Sequence, residues 1–220
     1  DKNAKSGDKK RNARVVCPDC GVSFKDATTT AAEAELPSSA VQVGSPYYTF
    51  RANATQTLNL TSVLPPTGLV TMVFTDIQGS TALWEKFPQT MKEILNLHND
   101  TMRSICLDHN GYEVKTEGDA FFNAFHSVRD AFLYCCDVQT ALMAAEWPDQ
   151  RSEMHDTDDI YEDGVKVFGG ARVRMGINCG EPSCEHDPIS MRMDYFGPIV
   201  NLSARVSGVA KGGEIVIGEN

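Results

Sequence analysis

Apolar positions are sparse and irregular over the first third of the chain and become strongly patterned from Leu69 onward. Leu69-Val70-Thr71-Met72-Val73-Phe74-Thr75 is a near-continuous, β-branched apolar run, the pattern of a central strand buried on both faces. Ser80 to His109 follows a helical period interrupted at Pro88, which predicts a short helix and then a longer one. Tyr112–Thr116 and Ala120–Phe125 flank the turn Glu117-Gly118-Asp119 and predict a β-hairpin. Ser127 is a helix cap, and the helix it opens runs to about Glu146 before Trp147-Pro148 ends it. A strand at Ala171–Ile177, a helix at Gly197–Val209 and a last strand at Glu214–Ile217 follow. The order β-α-β-β-α-β, then α-β, predicts an α+β sandwich with helices packed on one sheet.

Leu64-Pro65-Pro66-Thr67-Gly68 is a firm stop, so a domain of residues 68–220 is expected behind a weakly ordered linker of residues 1–67. Tyr47–Arg51 is the one stretch of that linker with strand character. Residues 1–14 hold six basic and two acidic residues and no apolar anchor, the composition of a solvated tail. The remainder carries −14 of the overall −10 charge, which argues against a nucleic-acid binder needing a basic face. Asp149–Asp163 is an acidic insert with the look of a surface loop. The 41% hydrophobic content suits a soluble globular chain, and seven cysteines, an odd and modest number, do not suggest a disulfide scaffold. No apolar run approaches the roughly 18 residues of a membrane span. The chain begins at Asp1 and stops directly after an apolar run, which reads as a piece of a longer, intracellular polypeptide.

Three clusters carry candidate chemistry. In Phe74-Thr75-Asp76-Ile77-Gln78-Gly79-Ser80-Thr81 an acid ends a buried strand and a Gly-Ser-Thr turn opens a helix. The free amides of a helix start attract phosphate oxygens, whereas a carboxylate beside them repels phosphate unless a divalent cation lies between. The motif therefore implies metal plus polyphosphate; the plainer reading is an aspartate capping a turn. Asp119, at the hairpin tip, meets Asp76 if the hairpin lies antiparallel to the first strand, and two such carboxylates are the minimum support for a pair of Mg²⁺ or Mn²⁺ ions. An exposed turn aspartate is its alternative. Met193 to Arg205 sets Asp194 just before a helix, with Asn201 and Arg205 four apart on one face; a solvated helix face reads the same way.

Together these clusters, in this order and with Val173-Arg174-Met175-Gly176-Ile177 between the second and third, resemble the catalytic domain of class III nucleotide cyclases. The resemblance covers about Gly68 to Asn220 and looks closest to the adenylate cyclases of fungi and kinetoplastids. It implies a ferredoxin-like, palm-like βαββαβ sandwich, truncated at its C-terminus where closing strands and a further triphosphate-binding lysine would follow. It implies that Asp76, Asp119 and the backbone carbonyl of Ile77 bind two Mg²⁺ or Mn²⁺ ions per site, and that Gln78, Gly79, Ser80 and Thr81 cradle the triphosphate. Lys115 and Asp194 would read the purine, Asn201 would position the ribose, and Arg205 would stabilise the reacting phosphate.

Hydrogen-bond inventory tests the purine pair. Adenine offers an acceptor at N1 and a donor amino group at N6, which a donating lysine and an accepting aspartate complement. Guanine reverses both groups, so Lys115 favours ATP where a guanylate cyclase would be expected to carry glutamate. The resemblance further implies ATP conversion to cyclic AMP, a homodimer in which one copy supplies the aspartates and the other the purine pair, Asn201 and Arg205, a cytoplasmic catalytic domain, and an upstream regulatory region of unknown kind. The rival readings are a cyclase-like dimerisation or regulatory module without turnover, a guanylate cyclase, and a diguanylate-forming relative, whose Gly-Gly-Asp/Glu-Glu-Phe signature is missing. Cys17-Pro18-Asp19-Cys20 is half of a zinc knuckle; a second pair upstream or two free thiols are the alternatives. Cys179, Cys184 and His186 are assigned to packing or surface, and Cys106, Cys135, Cys136, Trp84 and the Phe121/Phe122/Phe125 group to the core.

Overall fold

The computed structural model describes residues 63–149, 154 and 157–219, with two short strands near the N-terminus, β1 (Arg14–Val16) and β2 (Ser23–Lys25). These two pair antiparallel, Arg14 opposite Lys25, a hairpin that the irregular apolar pattern there does not announce. Tyr47–Arg51, Cys17 and Cys20 lie outside the described residues.

The main body runs β3 (Val70–Ile77), α1 (Ser80–Lys86), α2 (Pro88–Asp108), β4 (Tyr112–Glu117), β5 (Ala120–Phe125), α3 (Val128–Ala144), β6 (Ile160–Glu162), β7 (Val165–Phe168), β8 (Val173–Gly180), β9 (Ser183–His186), β10 (Met193–Phe196), α4 (Pro198–Gly208) and β11 (Ile215–Ile217). Five strands form one sheet in the order β11-β8-β3-β5-β4. The apolar run that reads as a central strand is central: β3 pairs antiparallel with both β5 and β8, and β4 with β5. This is the ferredoxin-like order, with β11 added parallel to β8. The fold class is therefore the α+β sandwich expected.

Side chains alternate across the sheet. Val73 and Ile77 join Phe121, Val173 and Met175 in a core covered by Met91, Ile94 and Met102 of α2 and Ala131, Tyr134 and Val138 of α3. Val70 and Met72 face the other way, with Tyr112, Val114, Phe122 and Ala124, beneath Tyr195 of β10 and Ile199 and Val200 of α4. Helix α4 lies backbone against strand: a Cβ on Gly176 would sit 2.3 Å from the Ser207 amide nitrogen.

Local signals hold where the sequence is explicit. Pro88 starts α2 at its first turn, where no intrahelical amide bond is lost, and Phe87 joins the two helices. The Ser127 side chain accepts from the Arg129 and Asp130 amides and opens α3, which ends at Ala144, slightly before the expected Glu146. Other positions differ. β3 runs two residues past the apolar run, so Asp76 and Ile77 are its last residues, and Asp194, expected just before a helix, lies within a strand, β10, opposite Glu185 of β9. The described part of the acidic insert is not all loop: β6 lies in it and pairs as a hairpin with β7 just beyond. Trp84 is only partly buried against the core. Among the described residues no helix is long and apolar enough to cross a membrane.

Candidate active site

The far end of β3 gathers three charged groups. Asp76 is in register with Arg174 of β8, and Thr75 with Phe121 of β5, so the Gly118-Asp119 turn folds back onto the end of β3. Asp119 Oδ2 accepts the Ile77 amide proton at 3.0 Å. Gly118 has φ +66°, the left-handed conformation that this tight tip requires. Asp76 accepts from Arg174 Nε at 3.0 Å and also from Nη2 of the same guanidinium. Burial raises the Asp76 pKa above the ordinary carboxylate range; the Arg174 hydrogen bond pulls it down, and the Asp119 charge pushes it up again.

One guanidinium thus faces two carboxylates, an under-compensated anionic pair of hard oxygen donors. Among the described residues no group of three or more His, Cys, Asp or Glu gathers as a complete metal cage. A cation here would take two carboxylates and complete its shell with other oxygens, the habit of Mg²⁺ and Mn²⁺ at phosphate sites and unlike the closed N/S shells of zinc. The residues present fit the divalent cations expected. Arg174 has no role in the sequence reading; its only signal there is a charge within an otherwise apolar buried strand.

The Gln78–Thr81 loop is not uniformly available. The Gln78 amide donates to the Arg172 carbonyl at 2.9 Å, and its side-chain oxygen accepts the Gly212 amide at 2.8 Å. Gln78 thereby ties the loop to the segment before β11. Gly79, with φ +73°, is the α1 cap and offers no side chain, so the first-turn amides, at Ser80 and Thr81, stay uncapped by any side chain.

The second gathering is Lys115 with Asp194. Lys115 Nζ donates to Asp194 Oδ2 at 3.0 Å across 79 residues of sequence, and Asp194 Oδ1 accepts the Tyr195 amide at 2.8 Å. The pair borders an open cavity of about 310 Å³ between β4 and the β9–β10 hairpin, with Thr116, Arg192 and Met193 also lining it. A donor and an acceptor side by side at its edge match a planar heterocycle with the opposite pattern.

Asn201 and Arg205 form a third group. Both are exposed on α4, while Ser203 and Ser207 of that helix face the sheet. Arg205 Nε donates to the Asn201 carbonyl at 3.3 Å, and no hydrogen bond joins either residue to the aspartates or the Lys115 pair. The sequence-predicted site residues therefore form three groups that no hydrogen bond joins among the described residues. The remaining thiols behave as packing groups. Cys106 and Cys135 are buried, with burial pushing the Cys106 thiol up to about 12. Cys136 and Cys184 are partly buried, Cys179 accepts from the Thr71 hydroxyl at 3.7 Å, and His186 is exposed.

Comparison with known proteins bears directly on this arrangement. The family described as the adenylate and guanylate cyclase catalytic domain matches residues 63–220. An adenylate cyclase of Lachancea kluyveri is 49% identical over 156 residues, 70% of this chain and 8% of that protein. One of Mycosarcoma maydis is 48% identical over 155 residues, 70% of this chain and 6% of that protein. The chain thus spans less than a tenth of the length of these relatives. A solved adenylate cyclase structure from Trypanosoma brucei, in its monomeric state, superposes with a TM-score of 0.61 at 31% identity, covering 71% of this chain and 75% of that one.

Proposed function

This chain belongs to the adenylate and guanylate cyclase catalytic-domain family, and from that premise we propose that it converts ATP to 3′,5′-cyclic AMP and pyrophosphate. The observation that carries the reading is the meeting of Asp119 with Asp76 at the end of β3, an acidic pair that one arginine does not balance. The catalytic unit comprises residues 68–220, residues 1–67 act as its linker, and the ATP-consuming face works in the cytoplasm.

Asp76, Asp119 and the Ile77 carbonyl would hold two divalent cations, Mg²⁺ or Mn²⁺. Such ions, when bound, supply a lowered pKa for the ribose 3′-hydroxyl and charge neutralisation along the triphosphate. The chain's own residues do the rest. Lys115 donates to adenine N1 and Asp194 accepts from the N6 amino group. Gly79 and the uncapped amides at Ser80 and Thr81 face triphosphate oxygens, while Gln78 braces that loop through Gly212. Arg174 adds positive charge at the same end of β3. Asn201 holds the ribose so that its 3′-oxygen lies in line with the α-phosphorus. As that oxygen yields its proton to solvent and bonds to phosphorus, the bond to the pyrophosphate oxygen breaks, and Arg205 donates to the α-phosphoryl oxygens on which charge builds.

Asn201 and Arg205 are exposed and make no hydrogen bond to the aspartates, which supports a site shared between two copies: the aspartates from one, and the purine pair, Asn201 and Arg205 from the other. Incubating the protein with equimolar ATP and GTP plus Mn²⁺, with products identified by mass spectrometry, tests the reading. Cyclic AMP in large excess over cyclic GMP is expected. Cyclic GMP in comparable amounts would overturn the base assignment, and no cyclic product would favour a regulatory module without turnover.

A further inference from the structure

Two of the proposed site residues ride on one hairpin, four positions apart. Lys115 Nζ lies 3.0 Å from Asp194 Oδ2, and Asp119 at the tip accepts the Ile77 amide proton at 3.0 Å. In a site shared between two copies, they serve different sites. Asp119 works with the Asp76 of its own copy, whereas Lys115 reads a base held against the aspartates of the other copy. The β4–β5 hairpin therefore reaches from one site to the next, and whatever sets its tilt acts on both.

Strand β4 is the edge of the main sheet and pairs there only with β5. A bulge interrupts that pairing: Glu113 opposes Asn123, but the next pair is Lys115 with Phe122, leaving Val114 as an extra residue. Phe122 belongs to the cluster beneath β10 and α4, so Lys115 takes that face. Thr116 opposes Phe121, which belongs to the core beneath α2, and Asn123 bonds Tyr134 of α3. The bulge thus brings Glu113 and Thr116, three apart, to the helix-covered face together.

There one α2 side chain meets the hairpin on both of its strands. Arg103 Nε donates to Glu113 Oε2 and Nη2 to Oε1, each at 3.0 Å. Thr116 Oγ1 donates to the same Oε1 at 2.7 Å, and the guanidinium lies 5.2 Å from the centroid of the Phe121 ring. Glu113 and Thr116 enclose Lys115 in the sequence, and Thr116 and Phe121 enclose the tip with Asp119. The Glu113 side chain is only 10% exposed, so its charge needs a partner there. Other contacts hold the hairpin elsewhere: Asp119 to the Ile77 amide, and the Glu113 carbonyl to Arg192 Nε at 3.0 Å. With those in place, loss of the Arg103 contacts leaves the hairpin formed and free to tilt.

We propose that Arg103 is a positioning residue for two sites at once: by holding Glu113, Thr116 and Phe121 it fixes the tilt of the β4–β5 hairpin, and so the place of Asp119 in one site and of Lys115 in the other. The inference rests on the adenylate cyclase reading and its shared site. Arg103 acts through those two residues and touches neither cation nor nucleotide. Its loss therefore shows in the cation requirement and in KM for ATP ahead of kcat.

Wild type, Arg103→Lys and Arg103→Met are compared for Tm, for kcat, for KM for ATP at saturating Mn²⁺, and for the Mn²⁺ concentration giving half activity at saturating ATP. Both constants should rise about fivefold in Arg103→Lys, whose ammonium keeps the charge but not the paired bonds, and further in Arg103→Met. The deciding test places Arg103→Lys on one copy at a time. In a mixture of Arg205→Ala with Asp76→Asn, the intact site takes its aspartates from the first variant and its Lys115 from the second. Arg103→Lys added to the Arg205→Ala copy should raise the Mn²⁺ requirement, with KM for ATP changed less than about twofold. Added to the Asp76→Asn copy, it should raise KM for ATP and leave the Mn²⁺ requirement as it was. Equal effects from the two placements, or none, overturn the proposal, because a merely destabilising substitution does not tell the copies apart. If the parent mixture stays inactive beside an active wild type, the shared site fails separately. A rise of both constants in Arg103→Lys itself then supports the hairpin role, and a rise of one or neither refutes it. If wild type forms no cyclic product, the enzyme reading fails, and the Mn²⁺-induced Tm shift and binding of a fluorescent ATP analogue decide: both weakened in Arg103→Lys supports the role, and either unchanged refutes it.

Discussion

Asp76 is where the fold carries a cost that a ligand can remove. It is partly buried, shares its end of the sheet with Asp119, and has Arg174 as its ion-pair partner. Its raised pKa fixes a sign. The share of stability it contributes is present below the unfolded carboxylate range and lost as pH rises through the raised value, because ionisation is harder in the folded chain. A divalent cation bound to the ionised pair offsets that loss. Mn²⁺ is therefore expected to raise the Tm of the wild type at pH 7.5 by several degrees and to leave Asp76→Asn almost unmoved, as read by scanning fluorimetry. Equal shifts in the two proteins would place the cation elsewhere. Neither the counter-charge nor the pKa shift was legible in the sequence: Asp76 and Arg174 meet across 98 residues, a pairing that only strand register creates. The acid itself was visible in the sequence as a carboxylate closing a buried apolar run, a pattern that a turn-capping aspartate shares.

At the scale of the element, α2 shows how a helix can be easy to read while its energetics are not. Its stripe of Met91, Ile94, His98, Met102 and Cys106 is buried, and the Pro88 break was evident from the chain. His98 sits within that stripe, edge-on to Phe121 at 5.6 Å, its Nδ1 beside Asn99 Oδ1. Burial lowers its pKa to about 4, with the Arg103 charge lowering it further and Asn99 opposing. The unfolded chain takes up this proton near pH 6.5 and the folded chain does not, so acid favours unfolding between pH 6.5 and about 4. The loss amounts to about 3 kcal/mol. Urea unfolding at pH 7 and pH 4.5 should show a distinctly smaller difference in His98→Gln than in wild type; an equal difference would rule out His98 as the source. The hairpin tip at Asp119 and the Ser127 cap were legible because turn and cap chemistry is local. The Val114 bulge, β1–β2 and β6–β7 were not. A bulge leaves no mark in a short strand's pattern, and three- or four-residue strands are too short to show a period.

At the scale of the whole molecule, the proposed site residues form three groups that no hydrogen bond joins among the described residues, the arrangement on which the proposal of a shared site rests. Asp76 and Asp119 close one end of β3, Lys115 and Asp194 border the cavity beside β4, and Asn201 and Arg205 stand exposed on α4. The incoming chain is fastened near the second group: the Tyr195 hydroxyl donates to the Pro66 carbonyl at 2.8 Å, next in sequence to Asp194. Two copies related by a two-fold axis would present the aspartates of each to the Asn201 and Arg205 of the other. Mixing Asp76→Asn with Arg205→Ala and measuring cyclic AMP tests this most directly. Each variant alone should be nearly inactive. Mixed in equal amounts, half of the dimers pair the two, each with one intact site, so roughly a quarter of wild-type activity should return. A mixture as inactive as its parts, beside an active wild type, would contradict a shared site.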